Sequence, residues 1–317
     1  MFYATLLSMN TSVVAVLRGG PSPCHKASLR SGQTVLDVLY EFPGTHRDVY
    51  IDREGTWYER GRPVEPEQVL TMVDVVINAL HGPYGEDGTV QKILARHNPC
   101  YSGSAALGAF LASHKALARD FAGKRDIPTP RAILLESEGE VPHALSEGVR
   151  RFGLPLVVKS VFGEGSHWVR IATTLDEVSD AVEELLPVGP VLIEEFVRGK
   201  EASMFLLEDF RGKRLYTFPP HEIRKTSRDW HTSCPGSFSL REKELLEAFA
   251  QEMFRGLGLR HYARIDFIVT PRNVYFLEAN ALPKFSANSL FAKTLASVGA
   301  TEKDFVLHVK DLASQRK

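Results

Sequence analysis

Short apolar runs alternate with amphipathic or turn-forming segments along the first hundred residues. The run Val13–Leu17 predicts a buried strand, and a helix is expected to extend through Val35–Leu39. A second apolar run, Val73–Leu80, predicts another strand. Helical periodicity follows over Gly88–Arg96 and again over Ala105–Gly123. Alternation of strands and helices predicts an α/β unit at the start of the chain.

A proline-rich loop, Ile127–Pro130, ends this part and indicates a subdomain boundary. Strand and helix patterns then continue in shorter pieces. The predicted strands are Ala132–Leu135, Leu156–Lys159, His167–Ala172 and Val191–Val197, and the predicted helix is Ala144–Phe152. This mixture is typical of a small α+β unit.

The stretch Tyr262–Leu290 contains two apolar runs, ARIDFIV and NVYFLEAN, joined by the turn-rich residues 270–273. The pattern predicts a β-hairpin with a short loop. Because strand side chains alternate between faces, Arg264 and Asp266 share a face, as do Glu278 and Asn280.

Charges on one face of this hairpin fit either a solvated sheet edge or an ion site. The apolar neighbours Ile265, Phe267 and Phe276 favour a buried sheet, where the charges need a partner. Carboxylate and amide oxygens suit Mg²⁺, which also takes ligands from phosphates. The hairpin therefore predicts a magnesium site.

Several loops fit anion binding, although each also has a plain structural interpretation. The Gly19-Gly20 turn fits a phosphate loop or a tight connection. The segment His81–Gly88 follows a strand at its carboxyl end, where ligands gather in such sheets, or caps the next helix. Lys159, at the base of the glycine-bearing loop 160–166, fits a triphosphate contact or a solvated lysine. Glu201, beyond the strand at 191–197, fits a ribose contact or an ordinary strand-end charge.

Composition excludes several classes of protein. With 317 residues we expect two or three domains, and 44% hydrophobic with 24% charged residues is typical of a globular protein. A net charge of −1 argues against a nucleic-acid or anionic-membrane binder. The three cysteines lack disulfide or zinc spacing and predict a reducing, cytoplasmic location. The apolar start lacks a basic leader region, and no segment approaches a membrane span.

The order of the motifs is more specific than any one of them. The segments HGPYGEDGTVQ, YSGS, HKALARDF, IPTP, LPLVVK, VLIEEFVRGKE, YARIDF and VYFLEANALP occur in this order between about Val13 and Asp311. In this the chain resembles the D-alanine–D-alanine ligases of the ATP-grasp superfamily. The resemblance implies mixed α/β and α+β structure: an ATP-grasp fold with an N-terminal Rossmann-like (pre-ATP-grasp) α/β domain. The expected domains are residues 1–107, a central lid at 108–188 and a C-terminal unit at 189–317.

The resemblance also implies an activity. Members of the family join two amino acids with ATP and Mg²⁺ or Mn²⁺ through an acyl phosphate, for peptidoglycan precursors. We therefore expect small-molecule amino-acid substrates and a homodimer formed through the N-terminal domain.

Carried over by position, the resemblance assigns a role to each of a set of residues. The phosphate contacts are Lys115 and Lys159, the adenine contacts Glu194 and Val197, and the ribose contact Glu201; the metal ligands are Asp266, Glu278 and Asn280. Arg264, Ser166 and Lys284 fall at catalytic positions, Lys225 at a phosphate contact, and Cys24, His81, Ser289 and Leu290 at substrate contacts.

The sequence departs from the family mainly around the substrates. Cys24 stands where the family has a glutamate that pairs with the first ammonium, and Lys284 replaces an oxyanion-hole glycine. The loop at 224–233 is short and basic, so that Lys225 or Arg228 replaces the usual phosphate contact, and the phosphate hairpin keeps only Ser166 of its serines.

Two alternatives to a D-alanine ligase follow from these departures. Basic residues at His25, Lys26, Arg224, Lys225, Arg228 and Lys284 favour a more acidic substrate pair, unless they are simply solvated. A catalytically silent nucleotide-binding homologue is the other alternative. Retention of Lys159, Arg264, Asp266, Glu278 and Asn280 argues against it.

Overall fold

The computed structural model describes residues 12–97, 100–163, 168–225, 230–287 and 289–316. Within these ranges the strands form three sheets, which follow one another along the chain.

The first sheet has six strands in the order β4-β3-β2-β1-β5-β6. Strands β1, β2, β5 and β6 are parallel, whereas β3 pairs antiparallel with β2 and β4 pairs antiparallel with β3. The strands are β1 Val13–Gly19, β2 Thr45–Ile51, β3 Trp57–Glu59, β4 Arg62–Val64, β5 Val75–Asn78 and β6 Cys100–Tyr101; the helices are α1 His25–Leu39, α2 Pro66–Leu70 and α3 Thr89–His97. The predicted α/β unit is confirmed, although β2 to β4 carried no clear signal in the sequence.

The predicted helix over 105–123 is wrong as a single element. It is divided into α4, Ala106–Ser113, and α5, Lys115–Gly123. His114 between them has extended φ and ψ of −93° and 91°, and its Nδ1 accepts a hydrogen bond from the Leu117 amide. A capping histidine thus starts a new helix without any glycine or proline. The break places Lys115 at the first position of α5.

The central sheet has four antiparallel strands in the order β7-β10-β8-β9. Two helices cover it, and the whole unit lies within residues 132–195. Its elements are β7 Ala132–Leu135, α6 Val141–Phe152, β8 Leu156–Ser160, β9 Val169–Ala172, α7 Leu175–Leu185 and β10 Val191–Glu195.

The third sheet has the order β14-β13-β11-β15-β16, and β12 also pairs with β11. Its elements are β11 Lys200–Phe210, β12 Lys213–Thr217, β13 His221–Lys225, β14 Trp230–Ser233, α8 Leu240–Gly256, β15 Tyr262–Val269, β16 Val274–Asn280, α9 Leu290–Ser297 and α10 Glu302–Ser314. The predicted hairpin is confirmed as β15 and β16, which lie near the centre of the site described below.

The hydrophobic cores group the three sheets unequally. One cluster joins Val14 and Val35 of the first unit to Phe205, Tyr262 and Phe305 of the third. The cluster of the central sheet, in contrast, contains only residues between 133 and 193. The first and third units therefore share a core, whereas the central unit has its own. A unit with a separate core moves most readily as a body.

Two smaller findings bear on the composition. Cys24, Cys100 and Cys234 are free cysteines, each partly buried. Across the described ranges, no helix is both long and apolar enough to cross a bilayer.

His261 connects the third unit to the first and gives a test of the packing. Its Nδ1 accepts a hydrogen bond from the Gly103 amide at 3.1 Å, and the residue adopts a φ of 66°. Burial lowers the pKa of His261 from 6.5 to about 3, with further lowering by the nearby Arg316 and Arg260. The imidazole is therefore neutral in the folded state at pH values where it would be protonated in the unfolded chain.

We predict that His261 contributes to loss of stability as pH falls below 6.5 toward 3, since the unfolded state then binds the extra proton. The contribution of His261 to the change in the free energy of unfolding with pH is about 1.4 kcal/mol per pH unit. His261→Asn, a side chain that tolerates positive φ, removes this share. Urea unfolding between pH 7 and pH 5 measures it. His143→Asn, at an 83% exposed side chain, is the control and leaves the slope unchanged.

Candidate active site

Four charged or amide side chains lie together where β15 and β16 pair. Arg264 is opposite Asn280 and Asp266 is opposite Glu278 in the pairing of the two strands. Arg264 Nε donates to Asp266 Oδ2 at 3.0 Å, and its Nη2 lies 3.8 Å from Glu278 Oε1. Asn280 Oδ1 accepts from the Leu282 amide at 2.9 Å. The hairpin thus concentrates two carboxylates around one guanidinium.

Lys115 adds a second cation to this cluster from outside the sheet. Its Nζ lies 3.5 Å from Glu278 Oε2 and donates to the Gly163 carbonyl in the loop after β8. Its amide donates to the Val161 carbonyl at 3.1 Å. The break at His114 makes this possible, because it gives Lys115 its place at the start of α5.

The pKa values of the two carboxylates move in opposite directions. Burial, reinforced by the charge of Glu278, raises the pKa of Asp266 to about 6, although Arg264 and Ser203 act the other way. Burial also acts to raise the pKa of Glu278. The charges of Lys115, Arg264 and Lys159 outweigh this effect, so the pKa of Glu278 is lowered. A further cation at this position would relieve the repulsion between the two carboxylates.

Ser203 is a buried site residue that the sequence analysis missed. It is opposite Asp266 across β11 and β15, and its Oγ donates to Asp266 Oδ1 at 2.6 Å. On the other side of β11 it pairs with the fully buried His221, whose pKa burial lowers to about 4, so that the imidazole is neutral at pH 7. Pairing between strands 63 residues apart leaves no local signal.

Lys159 has the anionic partner that its position in a buried strand requires. Its Nζ lies 2.9 Å from Glu194 Oε2 on the neighbouring strand β10. The other carboxylate oxygen of Glu194 accepts from Arg119 Nη1 at 2.6 Å. Arg119, on α5, also donates to the Pro130 carbonyl in the linker. The sequence analysis missed Arg119, because nothing in its own segment distinguishes it from a solvated helix charge.

The remaining predicted nucleotide contacts lie along the chain after β10. Val197 is half-buried in the segment that leaves this strand, and Glu201 is half-buried near the start of β11. Lys225 ends β13, where its backbone pairs with Trp230. Ser166 lies outside the described residues.

The predicted substrate contacts of the first unit meet at the amino end of α1. Cys24 is the N-cap residue of α1. Gly82 lies close to it, since a Cβ built on Gly82 would be 3.6 Å from the Cβ of Cys24. His81 is buried, with its Nε2 2.8 Å from Ser31 Oγ and its Nδ1 2.9 Å from the Leu282 carbonyl. Glu86 Oε1 is 3.4 Å from the same Nδ1. His81 therefore ties the first unit to the loop after β16.

Ser289, Leu290 and Lys284 belong to that same loop region of the third unit. Ser289 is the N-cap of α9, and its Oγ accepts from the Ala292 amide at 3.1 Å. Leu290 is half-buried at the first position of α9. Lys284 does not adopt positive φ, so its replacement of a glycine carries no backbone strain.

A cavity of about 480 Å³ lies beside part of this cluster. Lys115, Glu278 and Asn280 line it, and so does Glu86 of the first unit. Its other lining residues are Gly82, Pro83, Asp87, Thr89, Lys92, Phe110, Ala112, Ser113, Phe162, Gly163, Val188 and Ala279. All three units thus border one space.

The donor set fits the predicted metal. Within the described ranges no three His, Cys, Asp or Glu residues cluster as ligands, so a metal here relies on two carboxylates and the Asn280 amide oxygen. Oxygen donors of this kind, with remaining positions for phosphates and water, suit Mg²⁺ and not a soft metal.

Several basic residues that would favour an acidic substrate are engaged elsewhere. His25 is buried, with its Nδ1 2.8 Å from the Gly20 carbonyl. Lys26 is exposed on α1. Arg224 is largely exposed, and its Nε donates to Glu222 at 2.7 Å. Arg228 lies outside the described residues.

Comparison with known proteins identifies relatives over nearly the whole chain. The family model described as D-ala D-ala ligase C-terminus matches residues 121–309. The D-alanine–D-alanine ligase of Geobacter sulfurreducens is 31% identical over 291 residues, 89% of this chain and 87% of that protein. The D-alanine–D-alanine ligase of Pelotomaculum thermopropionicum is 29% identical over 324 residues, 96% of this chain and 98% of that protein.

Solved structures share the fold at lower identity. The VanG D-Ala:D-Ser ligase of Enterococcus faecalis superposes with a TM-score of 0.85 at 21% identity, over 96% of this chain and 100% of that one. The D-alanine–D-alanine ligase of Bacillus anthracis, solved with ATP, gives 0.79 at 24% identity, over 95% and 96% of the two chains. The predicted ATP-grasp fold with an N-terminal Rossmann-like domain is confirmed. By its sequence and its fold, the chain belongs to the D-alanine–D-alanine ligase family.

Proposed function

We propose that the protein is an ATP-dependent ligase that joins two amino acids, with D-alanine as both substrates, for peptidoglycan precursor synthesis. The observation that carries the proposal is the pair of half-buried carboxylates, Asp266 and Glu278, flanked by Arg264 and Lys115. Lys115 and Glu278 also line the cavity. Membership of the family supports the choice of substrate.

In the first step, a carboxylate oxygen of the first amino acid attacks the γ-phosphorus of ATP and ADP leaves, giving an acyl phosphate. Lys115 and Lys159 offset the negative charge of the phosphates. Glu278 and Glu194, respectively, hold their ammonium groups in place. Asp266, Glu278 and Asn280 would hold Mg²⁺, which would neutralise part of the charge of the phosphates.

In the second step, the amine of the second amino acid attacks the acyl carbon, inorganic phosphate leaves and the nitrogen loses a proton. Arg264 stabilises the negative charge that develops on the carbonyl oxygen. Its guanidinium is fixed for this by Asp266 and Glu278. The central unit, with its own core, closes the cavity against water that would hydrolyse the acyl phosphate.

We assign partners for the substrates' own charges to the third and the first unit. The amide groups at the start of α9, an eight-residue helix capped by Ser289, suit the carboxylate of the second amino acid. On the first unit, Glu86 lines the cavity and supplies a carboxylate for the ammonium of the first amino acid. Cys24 has no carboxylate to supply for it.

A ligase of the same family for a different amino-acid pair is the second candidate. Cys24 and Lys284, which stand at substrate positions, favour it. Engagement of His25 and Arg224 elsewhere weakens the case for an acidic substrate in particular. We further propose a cytoplasmic location and a homodimer formed through the first unit.

We predict ADP and phosphate release from Mg-ATP that depends on D-alanine, with a product of the mass of its dipeptide. A coupled ADP assay and mass spectrometry measure it, with L-alanine as the control. Release with only another amino-acid pair would support the second candidate. ATP binding without release for any pair would contradict a ligase function.

We predict that Arg264→Met lowers kcat by about 100-fold, since one stabilising group for the oxyanion is lost. The ATP concentration at half-saturation should change little. Arg260→Met, at a 54% exposed arginine two residues before β15, is the control and keeps wild-type kcat. Equal kcat in both variants would exclude Arg264 from catalysis.

We predict that Ser203→Ala raises the Mg²⁺ concentration needed for half-maximal activity by about 10-fold. The reason is that Asp266 loses the hydrogen bond that fixes its Oδ1. Ser203→Thr keeps a hydroxyl and should restore the wild-type value. Titration of Mn²⁺ binding provides a readout separate from turnover, and an unchanged Mn²⁺ affinity in Ser203→Ala would refute the role.

A further inference from the structure

Glu194 has both carboxylate oxygens committed within the protein. Its side chain is nearly fully buried, 3% exposed, with one oxygen 2.6 Å from Arg119 Nη1 and the other 2.9 Å from Lys159 Nζ. When a cation pairs with each oxygen of a buried carboxylate, the two cations compensate its charge and fix its orientation. This geometry makes Glu194 the link between two cations that lie on different elements.

Arg119 is the fixed member of the three. It lies on α5, with its side chain 10% exposed, and its second guanidinium nitrogen donates to the Pro130 carbonyl. Its planar group therefore joins α5, the linker to the central unit and the end of β10. A lysine could not make both contacts with one rigid group.

Lys159 is the member to which the proposed function assigns a contact with the ATP phosphates. It lies on β8, adjacent to β10, and it contributes to lowering the pKa of Glu278. Its long side chain has many rotamers, and Glu194 restricts them. If Arg119 were absent, the buried Glu194 would depend on Lys159 alone for its neutralisation and would hold that ammonium away from a phosphate.

We propose that Arg119 is a positioning residue for nucleotide binding: it shares the charge of Glu194 and so leaves Lys159 oriented toward the ATP phosphates. The inference rests on the proposed function, in which Lys159 contacts phosphate. It adds a residue on α5 to the set that determines affinity for ATP.

Binding of ATP and of adenosine to the full-length protein, measured by calorimetry, tests the proposal. Arg119→Met should weaken ATP binding by about tenfold, a change of ~1.4 kcal/mol. Binding of adenosine, which has no phosphate, should weaken less than binding of ATP, because a disturbance of Glu194 at the adenine would act on both ligands equally. Arg125→Met, at a 52% exposed arginine paired with Glu252, is the matched control and changes neither Kd.

A double-mutant cycle separates this role from simple support of the fold. Arg119 and Lys159 act through one group, so Arg119→Met should weaken ATP binding little once Lys159→Met is present. Arg119→Lys should recover part of the loss, since it keeps the charge. Should the double variant fail to fold, the ratio of the ATP and adenosine Kd values in Arg119→Met decides the question.

Two results would overturn the inference while the proposed function stands: equal weakening of ATP and adenosine, or additive losses in the cycle. A wild-type protein that binds adenosine but gains nothing from the phosphates of ATP would contradict the proposed function, and the inference with it.

Discussion

The arrangement of charges around Asp266 and Glu278 is the constraint on which the rest of the site depends. Two carboxylates opposite each other on buried strands repel, and desolvation increases the cost of each charge. Arg264 and Lys115 offset that cost, and each is delivered by a different element, β15 and the first turn of α5. Without these two cations, the hairpin would hold two repelling carboxylates at a high cost in free energy. The fold stabilises it by bringing a helix start and a glycine-bearing loop onto the same point.

The same principle recurs at Glu194, where Lys159 and Arg119 neutralise one buried carboxylate. The two clusters are electrostatically coupled, because the charge of Lys159 also lowers the pKa of Glu278. Cations in this site therefore have two functions: they compensate buried acids within the protein, and they are available to phosphate oxygens. Their pairing within the protein keeps them in place when no nucleotide is bound, which reduces the ordering cost of binding.

Local patterns in the sequence predicted some of the elements and part of the site, and non-local pairing accounts for the site residues that they missed. Alternation fixed the relation of Arg264 to Asp266 and of Glu278 to Asn280, because it needs only neighbouring residues. The demand for an anion near Lys159 followed from burial, although its identity did not. Ser203 and Arg119 were missed because their partners are 63 and 75 residues away. The break at His114 was missed because the N-cap of α5 is an imidazole, and no glycine or proline marks the start of the helix.

The separate core of the central unit has a thermodynamic consequence for the whole chain. Residues 133–193 share few buried apolar contacts with the rest, so their opening need not cost the full free energy of global unfolding. A ligand held between this unit and the third one would bind only the closed form and would add its binding free energy to that local stability. Substrate saturation would then make the chain unfold as one cooperative body, whereas the empty protein would lose its central unit first.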